Sequence, residues 1–586
     1  MIRNRIEKYG ERTALRYKEK GQWKDISWNA MGEQIRAVAK GLLEMDVKAG
    51  DMVAIFSQNS AAWTIADYGI LKVRGVSVPI YATSSAKQAG YIINEAEIKI
   101  IFVGSQDQYD KTKALQDASS CLKKIIVFDD NVTLGGRDTA MYFKDFLDLG
   151  RRSSRDPEVE DRLNSASIDD LATVIYTSGT TGEPKGVMLH HSIFNHSFPA
   201  HVKRLVVSDQ DVSLCFLPLT HVFERTWCYF ASYMGMVICY CDETPRIIEY
   251  LQEAKPTVMC AVPRFYEKIY SAVFEKLENA SPTKKKLFTW AIGVGEQVYV
   301  REKEKMAIPA LLTLKHTIAG KLVLDKIRNI VGGRIRFFPC AGAPLSKEIE
   351  EFFHSAGIFI TYGYGLTETC ATVTCHEKYY FKPGTVGKPI DGVEVKIADN
   401  GEILVKGPTI TKGYYKKPDA TAEAFEDGWF KTGDVGVLED GYLTITDRIK
   451  DLMKTSGGKY IAPQLVETMI GKDYYIDQIT VIGEAKKFVS ALIVPAFDAL
   501  EEYARTRNIT YASREDLVKN PAIIEFYQTR IAENSKDLAG HEQIKKFVLL
   551  SEPFTQEAGE MTPTMKLKRK VITEKHRDII ENIYRE

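Results

Sequence analysis

The chain has 586 residues, of which 45% are hydrophobic, and its 78 lysine and arginine residues balance its 78 aspartate and glutamate residues. This length exceeds what one hydrophobic core supports, so several subdomains are expected. The lack of net charge argues against a protein whose main partner is nucleic acid or another polyanion.

The composition also bears on location. Nine cysteines occur without a Cys-x-x-Cys pair, which predicts reduced thiols in a cytoplasmic protein. The first residues, MIRNRIEKYGERT, are charged and lack an apolar core, so neither a signal peptide nor a membrane anchor is expected there. The longest uncharged run, residues 226–241, is shorter than the roughly 18 residues of a spanning helix. It predicts a buried helix and strand, or the wall of an apolar ligand site.

Short apolar strands alternate with helical patterns from about Asp51 to Tyr362, which predicts α/β layers with largely parallel sheets. Four apolar runs in this region end in loops rich in glycine or proline. These runs are residues 171–176, 257–262, 335–338 and 358–362. Because ligands of open α/β sheets bind beyond the carboxyl ends of the strands, the four loops are expected to converge on one site.

The first loop predicts a phosphate-binding cradle and has the sequence YTSGTTGEPKG at residues 176–186. Its glycines let backbone N–H groups approach an anion, its hydroxyls donate hydrogen bonds, and its lysine adds positive charge. It is not a Walker loop, because no Ser or Thr follows a Gly-Lys pair. The expected ligand is a nucleotide triphosphate bound by Thr177, Ser178, Gly179, Thr180, Thr181, Gly182 and Lys185.

Two later loops add polar groups. The segment GYGLTET, residues 363–369, offers Tyr364 for stacking on a purine and Glu368 as a hard oxygen ligand for Mg²⁺. The segment KTGD places Asp434 after a glycine turn, where its carboxylate can accept hydrogen bonds from vicinal hydroxyls. Taken alone, each loop is also explained by an ordinary turn or a solvated charge.

The remaining pattern concerns domain organisation. Residues 265–331 predict long amphipathic helices whose KKK triplet marks a solvated face, with a membrane-surface role as the less favoured alternative. From Gly384 onward, short strands separated by glycines predict a small barrel or sheet. The predicted domains are 1–446 and 452–586, joined by a linker at 447–451 in the segment DRIKD.

Together and in this order, these segments resemble the adenylate-forming superfamily of acyl-CoA synthetases, luciferases and peptide-synthetase adenylation domains. The segments LPLTHVFERT and TPTMKLKRK resemble those of its long-chain fatty acid–CoA ligases, and the resemblance extends from about Asp51 to Lys570. It implies an α/β fold with a large N-terminal domain of two helix-covered sheets plus a small β-barrel. A smaller, mobile α+β domain is expected at the C-terminus.

The resemblance also implies an activity. A fatty acid and ATP would form acyl-adenylate and pyrophosphate, and CoA would then displace AMP to form the thioester. Mg²⁺ is the implied cofactor, ATP and CoA are co-substrates, and no nucleic acid is involved. A homodimer and peripheral contact with the inner face of a membrane are left open.

The family's site residues carry over to matching positions. The implied catalytic residues are Lys566, Glu368 and His221, with Glu368 and Thr177 holding the metal and His221 beside the acyl group. The implied nucleotide-binding residues include Tyr364 and Thr367 at adenine, Gly342, Ala343 and Pro344 lining the adenine and carboxylate pocket, Asp434 and Arg448 at ribose, and Gly363 and Gly365 in the same loop. The hinge is matched by Lys450, and the CoA-binding segment by Gly457 and Gly458.

Other functions stay open on sequence alone. One is a ligase that delivers acyl-adenylate to a carrier protein, and a second is a CoA ligase for aromatic or short acids. A third is a regulatory adenylate-binding pseudoenzyme, which is disfavoured because every expected polar site residue is present.

Overall fold

The computed structural model describes residues 1–118, 121–135, 139–177, 183–278, 280–378, 380–562 and 566–585. Its strands are β1 (Thr13–Glu19), β2 (Gln22–Ser27), β3 (Met52–Phe56), β4 (Val76–Ile80), β5 (Ile100–Val103), β6 (Lys124–Val127), β7 (Ala140–Tyr142), β8 (Leu171–Thr177), β9 (Lys185–His190), β10 (Val212–Cys215), β11 (Val237–Tyr240), β12 (Phe337–Cys340), β13 (Phe359–Tyr364), β14 (Thr374–Cys375), β15 (Lys388–Pro389), β16 (Glu394–Ile397), β17 (Glu402–Lys406), β18 (Phe425–Glu426), β19 (Trp429–Glu439), β20 (Tyr442–Arg448), β21 (Met453–Lys454), β22 (Tyr460–Ile461), β23 (Ile476–Ile482), β24 (Val489–Pro495) and β25 (Ile544–Leu549).

The α-helices are α1 (Ile2–Tyr9), α2 (Trp28–Glu44), α3 (Ala61–Lys72), α4 (Ala86–Glu95), α5 (Gln106–Ala118), α6 (Phe143–Arg152), α7 (Asp156–Asn164), α8 (His191–Arg204), α9 (Val222–Met234), α10 (Ile247–Ala254), α11 (Pro263–Glu278), α12 (Pro282–Lys303), α13 (Ala310–Ala319), α14 (Asp325–Ile330), α15 (Lys347–Ser355), α16 (Pro418–Ala424), α17 (Pro463–Gly471), α18 (Phe497–Thr506), α19 (Arg514–Leu517), α20 (Pro521–Ser535), α21 (Arg569–Lys575) and α22 (Arg577–Arg585). Short 3₁₀ turns span Thr244–Arg246 and Thr367–Thr369, and a π-helical turn spans Gly320–Leu324.

The first sheet has seven strands in the order β7-β6-β5-β3-β4-β8-β9. All neighbours are parallel except β8 and β9, which pair in the antiparallel direction. Strands β3, β4 and β5 are buried along their whole length. Their continuous apolar sequences follow from this burial, because helices cover both faces of a parallel sheet.

The second layer joins two four-stranded sheets, β10-β11-β1-β2 and β12-β13-β14-β15. Single bridges from Val258 to Ser213 and to Phe337 link the two sheets. The predicted strand at 257–262 was therefore wrong as a regular strand, since this segment makes only isolated bridges before α11 begins. The other three predicted strand ends are confirmed by β8, β12 and β13.

The uncharged run at 226–241 forms most of α9 and all of β11, and most of its side chains are buried. Beyond Gly384, strands β16 to β20 form an antiparallel sheet, and β23-β24-β25 form a separate sheet near the C-terminus. A separate hydrophobic cluster, drawn from residues 453–583, surrounds this last sheet. Among the described helices, none combines the length and apolar composition that crossing a membrane requires.

Candidate active site

Three side chains implied in nucleotide binding form one hydrogen-bonded cluster. The Tyr364 hydroxyl donates to Asp434 Oδ2 at 2.6 Å, and Arg448 Nε lies 3.0 Å from Asp434 Oδ1. Antiparallel pairing of β19 with β20 places Asp434 directly opposite Arg448. Burial, together with the Asp434 carboxylate, raises the pKa of Tyr364 well above its ordinary value, so its hydroxyl remains a donor. The cluster is therefore preorganised by strand register.

Close backbone contacts explain two glycines of the loop after β13. A β-carbon at Gly365 would lie 2.1 Å from the Ala371 carbonyl oxygen, and one at Gly363 would lie 2.8 Å from the Thr374 carbonyl oxygen. Separations this short are not tolerated between non-bonded atoms, so both positions require glycine. Packing within the loop accounts for both residues independently of any ligand.

The segment Gly342-Ala343-Pro344 is an exposed loop directly after β12. Gly342 has a φ of +94°, a conformation that favours glycine. Tyr362 holds the loop from below, because its hydroxyl donates to the Ala343 carbonyl at 3.1 Å and accepts from the Leu345 N–H at 3.0 Å. No sequence motif marks Tyr362, whose only signal is its position at a strand end.

The structure describes the two ends of the predicted phosphate loop, residues 176–177 and 183–186. Ser178, Gly179, Thr180, Thr181 and Gly182 lie outside the described residues. Thr177 Oγ1 donates to the Lys185 carbonyl at 3.4 Å, and Lys185 Nζ lies 5.0 Å from the centroid of the Tyr414 ring. The Tyr414 hydroxyl in turn donates to Glu368 Oε1 at 2.9 Å. Tyr414, which sequence reasoning missed, thus connects the lysine of the first loop to the carboxylate of the second.

Glu368 and Thr177 are the two residues implied as ligands of a hard cation. Thr367 and Glu368 form the short turn after β13, and the Glu368 carbonyl accepts from the Thr411 N–H at 2.7 Å. Burial raises the pKa of the Glu368 carboxyl. A carboxylate in such surroundings gains from a nearby cation, and carboxylate and hydroxyl oxygens are the ligands that Mg²⁺ prefers.

Lys566 comes from the C-terminal end of the chain to this side of the molecule. A hairpin presents it: the Thr562 N–H donates to the Lys566 carbonyl at 2.8 Å, and Lys568 N–H donates to the Glu560 carbonyl at 2.7 Å. Lys566 keeps solvent-exposed surface, while desolvation by neighbouring protein atoms lowers its pKa to about 8. The positive charge of Arg448 lowers the pKa of Lys566 further and the carboxylate of Asp434 raises it, so Lys566 lies within electrostatic range of both groups.

His221 also faces Lys566. Desolvation, followed by the Lys566 charge, lowers the pKa of His221 to about 4, so the ring is neutral at pH 7. Its Nδ1 accepts from the Phe223 N–H at 3.2 Å and caps α9. Because Nδ1 is an acceptor, the ring proton resides on Nε2. The buried, aromatic α9 begins at this histidine, so an apolar wall adjoins the charged cluster.

The three residues implied in hinge motion and CoA binding lie on the surface. Lys450 is exposed in the turn after β20, where Asp451 N–H and Leu452 N–H both donate to the Arg448 carbonyl at 3.0 Å. Gly457 and Gly458 form the exposed loop between β21 and β22. A β-carbon at Gly458 would meet no atom within 4 Å. The structure therefore brings Lys566, and not these glycines, to the Asp434–Arg448 cluster.

Polar contacts fasten the segment 472–477 to α11 and α15. Arg264 Nη2 lies 2.9 Å from Asp477 Oδ1, and Lys472 Nζ lies 2.9 Å from Glu348 Oε2. The Arg264–Asp477 side chains are 38% and 43% exposed. No motif in the sequence pointed to these four residues, because their pairing joins positions more than 120 residues apart.

Comparison with known proteins identifies the family of the chain. Residues 2–415 match the family model described as AMP-binding enzyme, and residues 450–586 match the model described as AMP-binding enzyme C-terminal domain. The chain belongs to the AMP-binding enzyme family.

Individual proteins of known name are similar to the chain over most of its length. The chain is 37% identical over 570 residues to a long-chain-fatty-acid–CoA ligase of Mycobacterium tuberculosis, covering 96% of this chain and 93% of that protein. It is 31% identical over 620 residues to a long-chain-fatty-acid–CoA ligase of Xenopus laevis, covering 100% and 83%. The fold resembles that of the A-PCP didomain of a carboxylic acid reductase from Segniliparus rugosus in complex with AMP, with a TM-score of 0.79 at 22% identity, covering 100% and 81%.

Proposed function

We propose that the protein activates a long-chain fatty acid with ATP and transfers the acyl group to CoA, releasing pyrophosphate and AMP. The observation that carries this proposal is the hydrogen-bonded Tyr364–Asp434–Arg448 cluster, whose charges act on Lys566, together with His221 at the start of an apolar helix. The names of the two relatives support the acyl chain and the CoA acceptor.

In the first step, the fatty acid carboxylate attacks the α-phosphate of ATP. Two anions must approach each other, so concentrated positive charge is needed at that point. Lys566 supplies a charge on the cleft side, and Arg448 supplies a second one within reach of it. Asp434, nearly buried and held by Tyr364, is oriented to accept hydrogen bonds from the ribose hydroxyls.

The remaining roles follow from position. Gly342, Ala343 and Pro344 form the adenine-side loop, with Gly363, Gly365 and Thr367 shaping the loop that follows Tyr364. Lys185, with the hydroxyls and glycines of residues 177–182, would bind the β- and γ-phosphates. Glu368 and Thr177 would hold Mg²⁺, which supplies charge neutralisation for the departing pyrophosphate.

In the second step, the thiol of CoA attacks the acyl-adenylate, so no cysteine of the protein is required. We propose that residues 447–451 act as a hinge about Lys450 between domains 1–446 and 452–586. Rotation would withdraw Lys566 and bring Gly457 and Gly458 beside the pantetheine. Their open surroundings on an exposed hairpin support this assignment.

The acyl group would extend from His221 along α9. A neutral His221 adds no charge next to an apolar chain, which suits this position. Nine free cysteines, eight of them buried, support a cytoplasmic location.

A panel of acids from acetate to very long chains, assayed for AMP formation with free CoA, tests the function. Each methylene buried along α9 contributes about 0.8 kcal/mol, so catalytic efficiency should rise several-fold per added carbon pair until the pocket ends. Efficiency that peaks at acetate or an aromatic acid would contradict the fatty acid assignment. AMP formation that requires a carrier protein in place of CoA would contradict the acceptor.

A further inference from the structure

Helix α13 has two apolar faces, and only one of them is used inside the protein. Leu312, Ala319 and Leu324 pack with three small or branched residues of α12 in a cluster separate from the main cores. This inward face is closed and holds α13 and the following π-helical turn against α12. The apolar residues on the outward face are not needed for that packing.

The outward surface carries Leu311, Leu314 and Ile318 on α13 and Leu322 in the π-helical turn that follows, and these residues are 64%, 57%, 44% and 44% exposed. Their spacing of three, four and four residues places them along one stripe of a helix. Single exposed apolar residues are common, but a continuous stripe of four on one helix marks a surface that binds something apolar. We call these four residues the outer stripe.

The positive charge around the outer stripe indicates which kind of partner binds it. Residues 282–326 contain nine lysine or arginine residues and four aspartate or glutamate residues, in a chain with no net charge. Lys315 and Lys321 lie within the stripe's own segment, and Lys284, Lys285 and Lys286 begin α12; all five are exposed. An apolar stripe flanked by lysines is the pattern of a helix that lies in the surface of an anionic bilayer.

We propose that α13 and its π-helical extension dock on an anionic phospholipid bilayer, with the outer stripe in the acyl boundary and the lysines at the headgroups. This inference extends the proposed function, because a long-chain fatty acid partitions into bilayers. It does not depend on catalysis, since docking requires neither ATP nor CoA. A failed binding experiment with intact ligase activity would therefore count against docking alone.

The test is cosedimentation of the full chain with phosphatidylglycerol vesicles and with phosphatidylcholine vesicles. The wild type should bind the anionic vesicles, with binding weakened by added salt. The double variant Leu311→Ser/Leu314→Ser should lose about tenfold or more in vesicle affinity, since two side chains no longer enter the apolar boundary. Variant Ile168→Ser/Ile524→Ser, which removes two exposed isoleucines elsewhere, is the matched control and should bind as the wild type does.

Thermal unfolding and pyrophosphate release from a short, water-soluble acid establish that each variant is folded. Equal vesicle binding by the Leu311/Leu314 variant and the wild type would overturn the proposal, as would equal binding to neutral and anionic vesicles. Sedimentation in solution addresses a second copy as the occupant. A dimer that the Leu311/Leu314 variant abolishes, without vesicle binding by the wild type, would also overturn it.

Discussion

The nucleotide side of the candidate site and the lysine that faces it are held in different ways. Tyr364, Asp434 and Arg448 lie on paired strands and are joined by direct hydrogen bonds, with the Asp434 side chain 5% exposed. Lys566 stands on a hairpin of a separate hydrophobic unit.

The ion pairs Arg264–Asp477 and Lys472–Glu348 link this second unit to α11 and α15. The Arg264–Asp477 pair is about two-fifths exposed on each side, and ion pairs of this kind typically contribute about 0–1 kcal/mol. Under the proposed function, the first unit would bind the nucleotide and stay fixed, and the second unit would move away. Such a division suits two successive reactions in one cleft.

Removing the charge of Lys566 should have the largest effect on the reaction. Lys566→Ala is expected to slow acyl-adenylate formation by about 10² or more, because a preorganised positive charge is lost at the point where two anions meet. Conversion of pre-made acyl-adenylate and CoA to thioester should be retained. Lys568→Ala is the matched control, and equal impairment of both half-reactions by Lys566→Ala would refute the assignment.

A substitution at Lys450 tests whether residues 452–586 must rotate between the two steps. Lys450→Pro should leave adenylation largely intact and block thioester formation, since proline restricts φ to roughly −65° and prevents the rotation. Acyl-adenylate should accumulate, which is measured by comparing pyrophosphate release with acyl-CoA production. Lys450→Ala, which keeps the backbone free, should behave as the wild type; normal acyl-CoA turnover by the proline variant would disprove the hinge.

The proposed binding of ribose by Asp434 is tested by Asp434→Asn, which preserves the size of the side chain and removes its charge. Loss of charge-assisted hydrogen bonds, each worth about 1.5–3 kcal/mol, should raise the KM for ATP about tenfold or more. The wild type should prefer ATP to 2′-deoxy-ATP, and the variant should lose this preference. A preference that survives the substitution would show that Asp434 does not bind the ribose.

The pH dependence of adenylation should show the smallest effect, and it tests whether Lys566 supplies the positive charge in that step. Its pKa is lowered to about 8, so the charged form prevails below that pH and is lost as the pH rises through it. Adenylation should therefore decline above pH 8, approaching about tenfold per pH unit. The thioester step from pre-made acyl-adenylate is the control, and a parallel decline in that step would point to another group.

Much of this organisation was predictable because it depends on neighbouring residues. Glycines followed by hydroxyl or carboxylate side chains after an apolar run identify loops at strand ends, as at Thr177 and Glu368. The alternation of strands and helices up to Tyr362 likewise reflects local periodicity, and the α/β prediction is confirmed. The segment 257–262 failed because an apolar run cannot reveal whether neighbouring strands supply a full ladder.

The sequence by itself determined which chemical groups the protein offers and in what order, since glycine conformation, apolar periodicity and loop chemistry act over a few residues. Which of these groups come close together depends on the tertiary structure. The Asp434–Arg448 pair depends on the register of β19 with β20, and Tyr414 reaches Glu368 through a contact that no motif marks. Lys566 lies beside Arg448 because two separately packed units dock together. Contacts between residues this distant along the chain arise from packing, which local patterns do not encode.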